Sequence, residues 1–179
     1  MRETVDRRLE RGARRRAELI EATLTVVKRR GVAGVSHRTV AKVAGVSPSA
    51  ALHHFATLDD LLVAALISGS ESSIKGVAEV QDVGGLADVL TDQIVEGRSR
   101  FVAVYELYLL AARRRALRAE ANRWMASVKD AARRLGADEM TARALCAALD
   151  GLGLQALLSD EVPDRTATAE ILGRILSTS

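Results

Sequence analysis

Residues 36–55 read SHRTVAKVAGVSPSAALHHF, and the fold turns on how this stretch is parsed. Ser36 is a favourable N-cap, because its hydroxyl can accept from an orphan amide of a first helical turn. Val40, Ala41 and Ala44 then recur at helical spacing until Gly45, which enters the left-handed conformation without a Cβ penalty and so stops a helix. Ser47 is a second N-cap. Pro48 follows at the first helical position, where its fixed φ suits the helix and its missing N–H costs nothing. The spacing predicts two short helices joined by a tight turn. Two arrangements answer to that pattern: a helix-turn-helix whose second member enters the DNA major groove, and an ordinary αα-hairpin of a helical bundle.

The surroundings bear on the choice. The chain has 179 residues, enough for one large or two small domains. Hydrophobic residues make up 48% and aromatics only 3%, and the two prolines stand at 48 and 163. A composition so rich in Ala, Leu and Arg favours an all-α protein over a sheet. Cys146 is the single cysteine, so neither an intrachain disulfide nor a four-cysteine metal cage can form, and a cytoplasmic location is expected. No charge-free apolar run is expected to span a bilayer, and the charged N-terminus lacks the apolar core of a secretory signal. No membrane partner and no cofactor are expected.

Charge is unevenly placed. Residues 1–56 hold 12 Lys and Arg against 5 Asp and Glu, net +7, while the remainder is net −4. A basic N-terminal third suits a phosphate backbone, whose released counterions supply affinity. A charge run is also what a solvated face looks like. The arm at residues 1–12 has only Val5 and Leu9 as apolar anchors and is expected to be frayed or loosely helical. Its neighbours Arg11, Arg14, Arg15 and Arg16 could reach phosphates or a minor groove, or serve as a solubilising tail. From about Arg14 to Arg30, Leu19, Ile20, Ala22, Leu24 and Val27 form one helical stripe, closed by Gly31.

A buttress helix followed by a capped helix pair resembles a known unit. The stretch LIEATLTVVKRRGVAGVSHRTVAKVAGVSPSAALHHFATLDDLL, Leu19 to Leu62, is similar to the N-terminal DNA-binding domain of the tetracycline-repressor (TetR) family of bacterial transcriptional regulators. The matching features are Ile20 and Ala22, Gly31, Ser36, the run from Val40 to Ser47, and His54 with Phe55 at the end of the third helix. The sequence departs from the family at Ser49, Ala51 and Leu52, where Gly, Leu and a phosphate-touching Tyr are usual. It departs again at Leu58, where the family often places a phosphate-binding Lys.

The resemblance implies an N-terminal DNA-binding domain over residues 1–56 and an effector-binding and dimerisation domain over 57–179. It implies a homodimer, a double-stranded DNA operator and a small-molecule effector. Candidate DNA contacts are Arg14, Ser36, His37, Arg38, Ser47, Pro48, Ser49, Ala50, Leu52, His53 and Thr57. Ser36 and Ser47 head helices whose amides suit phosphate; Arg38 suits phosphate or guanine; Ser49, Ala50 and His53 occupy the outward face of the recognition helix; Thr57 caps the next helix. Phe55, by its spacing from Leu58, Leu61 and Leu62, reads as core. No metal site is expected, because adjacent His53 and His54 diverge on a helix and no carboxylate completes a set with His37.

Beyond Thr57 a helix is expected to about Gly76, then a loop over Gln81–Gly85, then helices over 86–96, 99–115, 116–135, 138–159 and 165–177, an all-α bundle. Most of the aromatics gather on two of these. Tyr105 and Tyr108, at i and i+3, could face one cavity with Phe101, Trp124 and Met125, or could simply be core. Asp150–Ala156, DGLGLQA, fits the dinucleotide pattern GxGxxA, but no strand precedes it; Gly151 and Gly153 are expected to admit another helix. By the resemblance, the last two helices form a four-helix dimer interface, with Leu149, Leu152, Ala156, Ile171 and Ile175 as contacts. The reading is a ligand-responsive, homodimeric repressor of a palindromic operator. The alternative is an all-helical small-molecule-binding protein or enzyme with an incidental helix-turn-helix, and Ser72 and Lys75 fit SxxK with nothing nearby to complete a site.

Overall fold

The structure is a computed structural model that describes residues 2–159 and 162–177, and among these there is no strand. The expected all-α architecture is present as eight α-helices: α1 (Arg2–Arg30), α2 (His37–Ala44), α3 (Pro48–His54), α4 (Leu58–Glu79), α5 (Val83–Leu110), α6 (Arg118–Arg134), α7 (Glu139–Leu158) and α8 (Arg165–Leu176). Short 3₁₀ turns at Val32–Gly34 and Arg115–Leu117 lead into α2 and α6.

Three boundaries differ from expectation, each for a local reason. The arm expected to be loose is helical from Arg2 and runs on into α1. Its Arg and Glu residues are good helix formers, and Glu18 pairs with Arg14 at 3.2 Å and Arg15 at 2.9 Å, one turn away. The Val5 side chain lies outside the described residues. The loop expected over Gln81–Gly85 is shorter, because Asp82 acts as a cap: its Oδ1 accepts from the Gly85 amide at 2.9 Å, so Gly84 and Gly85 fall in the first turn of α5. The helices expected over 86–96 and 99–115 are one element with a kink at Gly97, whose φ of −148° and ψ of 34° are not helical.

α4 is the one described helix that is long and apolar enough to cross a membrane by length and composition, though it is not charge-free, carrying Glu71 and Lys75. Half of its apolar window is buried inside the protein, with Leu61, Leu62, Ala64, Ala65 and Leu66 turned inward.

The chain forms two compact units, and the division passes through α4 and α5. The first runs to Gly69 and takes in Ala103–Leu117. Within it α1 packs on α2 and α2 on α3, and Leu19, Leu24, Val40, Ala41, Ala51 and Phe55 are buried. Each Leu of such a core contributes about 1.5–3 kcal/mol by leaving water, which is what holds helices as short as α2 and α3 in place.

The second unit comprises Ser70–Val102 and the chain from Arg118 on. Its core joins Val77, Leu86, Leu90, Ile94, Val128, Leu145, Leu149 and Leu172. Arg98 donates to the carbonyls of Ala156 (3.0 Å), Leu157 (2.9 Å) and Ser159 (2.8 Å). A cation at that place satisfies the orphan acceptors at the end of α7 and suits the negative end of its dipole. Arg165 opens α8 and bridges Asp88 (2.8 Å) and Asp92 on α5.

Candidate nucleic-acid interface

The helix pair is built as the residues dictate. Ser36 Oγ accepts from the Thr39 amide at 3.1 Å while Thr39 Oγ1 accepts from the Ser36 amide at 2.9 Å, a reciprocal cap that satisfies two orphan donors. Gly45 ends α2 at φ 66°, ψ 33°, and Val46 N–H returns to the Ala41 carbonyl at 3.0 Å. Ser47 Oγ accepts from the Ala50 amide at 3.2 Å and shares a hydrogen bond with Ser49 Oγ at 2.9 Å. Pro48 opens α3, and Ala51 is its buried residue.

Pro48, Ser49, Leu52 and His53 of α3 are exposed, and Ala50 is half-buried. Leu52, at 49% exposure, projects an apolar side chain from the outer face, where a thymine methyl would be a matching partner. Arg38 is exposed and has no hydrogen bond or ion pair to any described residue. Lys42, one turn further along α2, is exposed and uncommitted in the same way. Lys42 is not among the candidates named from the sequence, yet its i, i+4 spacing from Arg38 puts both cations on one side of α2.

Other candidates are already engaged. Arg14 is paired with Glu18, and the Arg16 guanidinium lies 4.8 Å above the ring centroid of Phe55. His37 Nε2 lies 2.8 Å from the Phe55 carbonyl oxygen, which ties the start of α2 to the end of α3. His53 and His54 meet edge to face with ring centroids 5.5 Å apart. Thr57 Oγ1 accepts from the Asp60 amide at 3.1 Å, and Asp60 Oδ2 accepts from the Thr57 amide at 3.0 Å. Hydrogen bonding to the carboxylate from the Thr57 side chain, and then from its amide, holds the Asp60 carboxyl below the usual range. Phe55 is buried, as its spacing required.

The aromatic candidates divide between the units. Tyr105 and Tyr108 belong to the first, with ring centroids 5.9 Å apart. Phe101, Trp124 and Met125 pack against the core of the second. There Trp124 Nε1 donates to Asp150 Oδ1 at 3.3 Å. A Cβ on Gly153 would stand 3.3 Å from Phe101 Cζ, whereas one on Gly151 would meet nothing within 4 Å, so only Gly153 admits a neighbour closely. One turn before Trp124 stands Glu120, a buried carboxylate that accepts from Ser70 Oγ at 2.9 Å and pairs with Arg123 at 3.3 Å. It was missed because an isolated Glu in an amphipathic helix carries no sign of burial.

Of the residues named for dimer contact, Leu149 and Ala156 are buried in the unit's own core, Leu152 and Ile175 pack against that core, and Ile171 is 43% exposed. The outer face of α7 instead carries Met140, Ala144, Ala147, Gly151, Leu154 and Leu158, alternating by four and three residues.

A family model described as bacterial regulatory proteins, tetR family, matches residues 19–65, and one described as the tetracyclin repressor-like C-terminal domain matches residues 81–178. The solved structure of multidrug binding protein EbrR complexed with ethidium is 44% identical, covers 90% of this chain and 98% of that one, and has a TM-score of 0.78. The same protein is solved with imidazole, proflavin and malachite green. A TetR family member from Streptomyces coelicolor A3 is 42% identical over 90% of this chain and 97% of that one, with a TM-score of 0.82. HTH-type transcriptional regulator PksA of Bacillus subtilis (strain 168) is 45% identical over 53 residues, 30% of this chain, and the match spans about a quarter (26%) of that curated relative. With its capped helix-turn-helix, its two matched domains and relatives of this similarity along nine-tenths of its length, the chain belongs to the tetR family of bacterial transcriptional regulators.

Proposed function

We propose that the protein is a cytoplasmic homodimeric repressor that binds a palindromic operator and is released from it by an aromatic small molecule. Residues 1–56 are its DNA-binding head and residues 57–179 its effector and dimer part. One α3 from each subunit enters successive major grooves about 34 Å apart. Arg38 and Lys42 hold phosphates, and Ser49, Leu52 and His53 read base edges. The observation that carries this reading is the contrast within the helix pair. Its capping groups are committed internally, while its two α2 cations have no partner among the described residues.

The homodimer reading is supported by the outer face of α7. Leu158 is 81% exposed, Met140 73% and Leu154 42%, with small residues between them and Ile171 on α8. A stripe spaced by four and three is the seam along which helices pack side by side. A second copy would cover it.

The effector reading rests on relatives and on the second unit's side chains. Ethidium, malachite green and protonated proflavin are delocalised aromatic cations, and EbrR is solved with each. Here Phe101, Trp124 and Met125 offer aromatic and thioether surface, and Glu120 and Asp150 offer negative charge beside them. An effector shifts the balance between DNA-bound and released forms only by its differential affinity for the two.

Trp124 is the only tryptophan, so its emission reports on the site directly. Titration with ethidium is expected to quench it saturably and to dissociate a gel-shifted complex with the DNA flanking the protein's own gene. Sedimentation is expected to give a dimer for the wild type and a monomer for Leu158→Asp with Ile171→Asp. A wild-type monomer, or DNA binding indifferent to salt, would refute the proposal.

A further inference from the structure

Phe55 closes α3. Its amide donates to the Ala51 carbonyl at 3.0 Å, but its own carbonyl lies past the helix end, where no ladder partner exists. His37, the first residue of α2, supplies the partner at 2.8 Å. A carbonyl only accepts, so Nε2 carries the proton and donates it. The Phe55 ring is itself buried, with Arg16 of α1 over its face at 4.8 Å. The helix pair is therefore closed at both ends, by the turn at residues 45–47 and by His37 at the far end of α3.

We propose that His37 is a positioning residue rather than a DNA contact, and that it sets the angle at which α3 presents Ser49, Leu52 and His53 to base edges. The proposal rests on the reading that α3 enters the major groove. A helix of seven residues has no stability alone, so its direction comes from what holds it. Without the hydrogen bond the far end is held by the packing of Phe55 alone, which fixes the direction of α3 less closely. Hydrogen bonds to base edges need close placement, whereas attraction to phosphate tolerates displacement. Loss of the tie therefore costs discrimination before it costs general affinity.

The test uses the full-length protein with two probes: a duplex enriched by the wild type from a randomised pool, and a random-sequence duplex of equal length. His37→Ala is expected to weaken binding to the enriched duplex about three- to tenfold, the factor corresponding to one ordinary hydrogen bond. Binding to the random duplex and the slope of log K against log salt stay as in the wild type. His37→Gln, whose amide can reach the same carbonyl, restores most of the loss.

A slope lowered by about 0.9 in His37→Ala would mark a charged phosphate contact and overturn the proposal. Equal loss on both duplexes, or loss of discrimination at one base pair alone, would overturn it too. A second measurement needs no DNA: amide exchange at residues 51–55 is expected to quicken about three- to tenfold in His37→Ala and not in His37→Gln. Unchanged exchange overturns the positioning role. Failure of the wild type to enrich any duplex counts against DNA binding, while the exchange measurement still decides whether His37 ties α3.

Discussion

Glu106 Oε1 accepts the Val32 amide proton at 2.9 Å and so fastens α5 to the turn that follows α1, within the first unit. The same oxygen lies 2.9 Å from where a Cβ on Gly31 would stand, and Gly31 has φ 68° and ψ 175°, a conformation essentially restricted to glycine. Gly31→Ala meets a strained backbone and a carboxylate together, and is expected to lose about 2 kcal/mol or more. Gly12→Ala, in α1 with nothing within 4 Å of the new methyl, is expected to gain up to about 1 kcal/mol. Thermal unfolding followed by circular dichroism reads both, and an unchanged midpoint for Gly31→Ala would show that the turn relaxes freely.

Arg38→Ala and Lys42→Ala are each expected to lower the slope of log K against log salt by about 0.9, the signature of one lost phosphate contact. Leu52→Ala should leave that slope alone and weaken preference at a single A·T pair, because a methyl contact carries sequence information and no charge. Anisotropy titrations between about 50 and 200 mM salt separate the two behaviours.

Cys146 is 5% exposed, and burial, reinforced by the nearby negative charge of Asp150, pushes its thiol up to about 11. The reactive thiolate is therefore scarce at neutral pH, and the side chain serves as a small apolar core residue. Labelling by a thiol reagent at pH 7.5 is expected to be at least on the order of a hundredfold slower in the native protein than in denaturant. Because the folded value is raised above the ordinary 9.0, the associated stability is intact below that pH and is lost as pH rises from 9.0 towards about 11. Rapid native labelling would show that the thiol is not enclosed.

Asp138 caps α7, with Oδ1 accepting from the Thr141 amide at 2.7 Å, and this bond holds its carboxyl below the ordinary 3.8. A lowered value places the stabilising effect above pH 3.8, to be lost as pH falls through the folded value. Asp138→Asn keeps an oxygen acceptor for the cap and removes the titration. Urea midpoints between pH 7 and pH 3 should fall less steeply in Asp138→Asn than in the wild type. Parallel curves would place the acid sensitivity elsewhere.

The helix pair was legible in the sequence because its signals are local. Ser36, Gly45, Ser47 and Pro48 act within four residues of themselves through backbone hydrogen bonds and φ preferences, and all four do in the structure what their chemistry demands. The loop expected before α5 shows the limit of such signals. Gly84 and Gly85 weigh against a helix, yet the Asp82 cap offsets them.

By itself, then, the amino-acid order determined the all-α class, the helix-turn-helix and the excess of positive charge near it. All three depend on composition or on neighbours along the chain. Only the tertiary structure decided that His37 faces the Phe55 carbonyl, that Glu106 meets Val32 from 74 residues away, that Glu120 is buried, and that Leu149 faces inward while Leu158 faces out. Helical periodicity says that residues share a face, but which face is covered depends on partners far off in sequence, and their packing settles that choice.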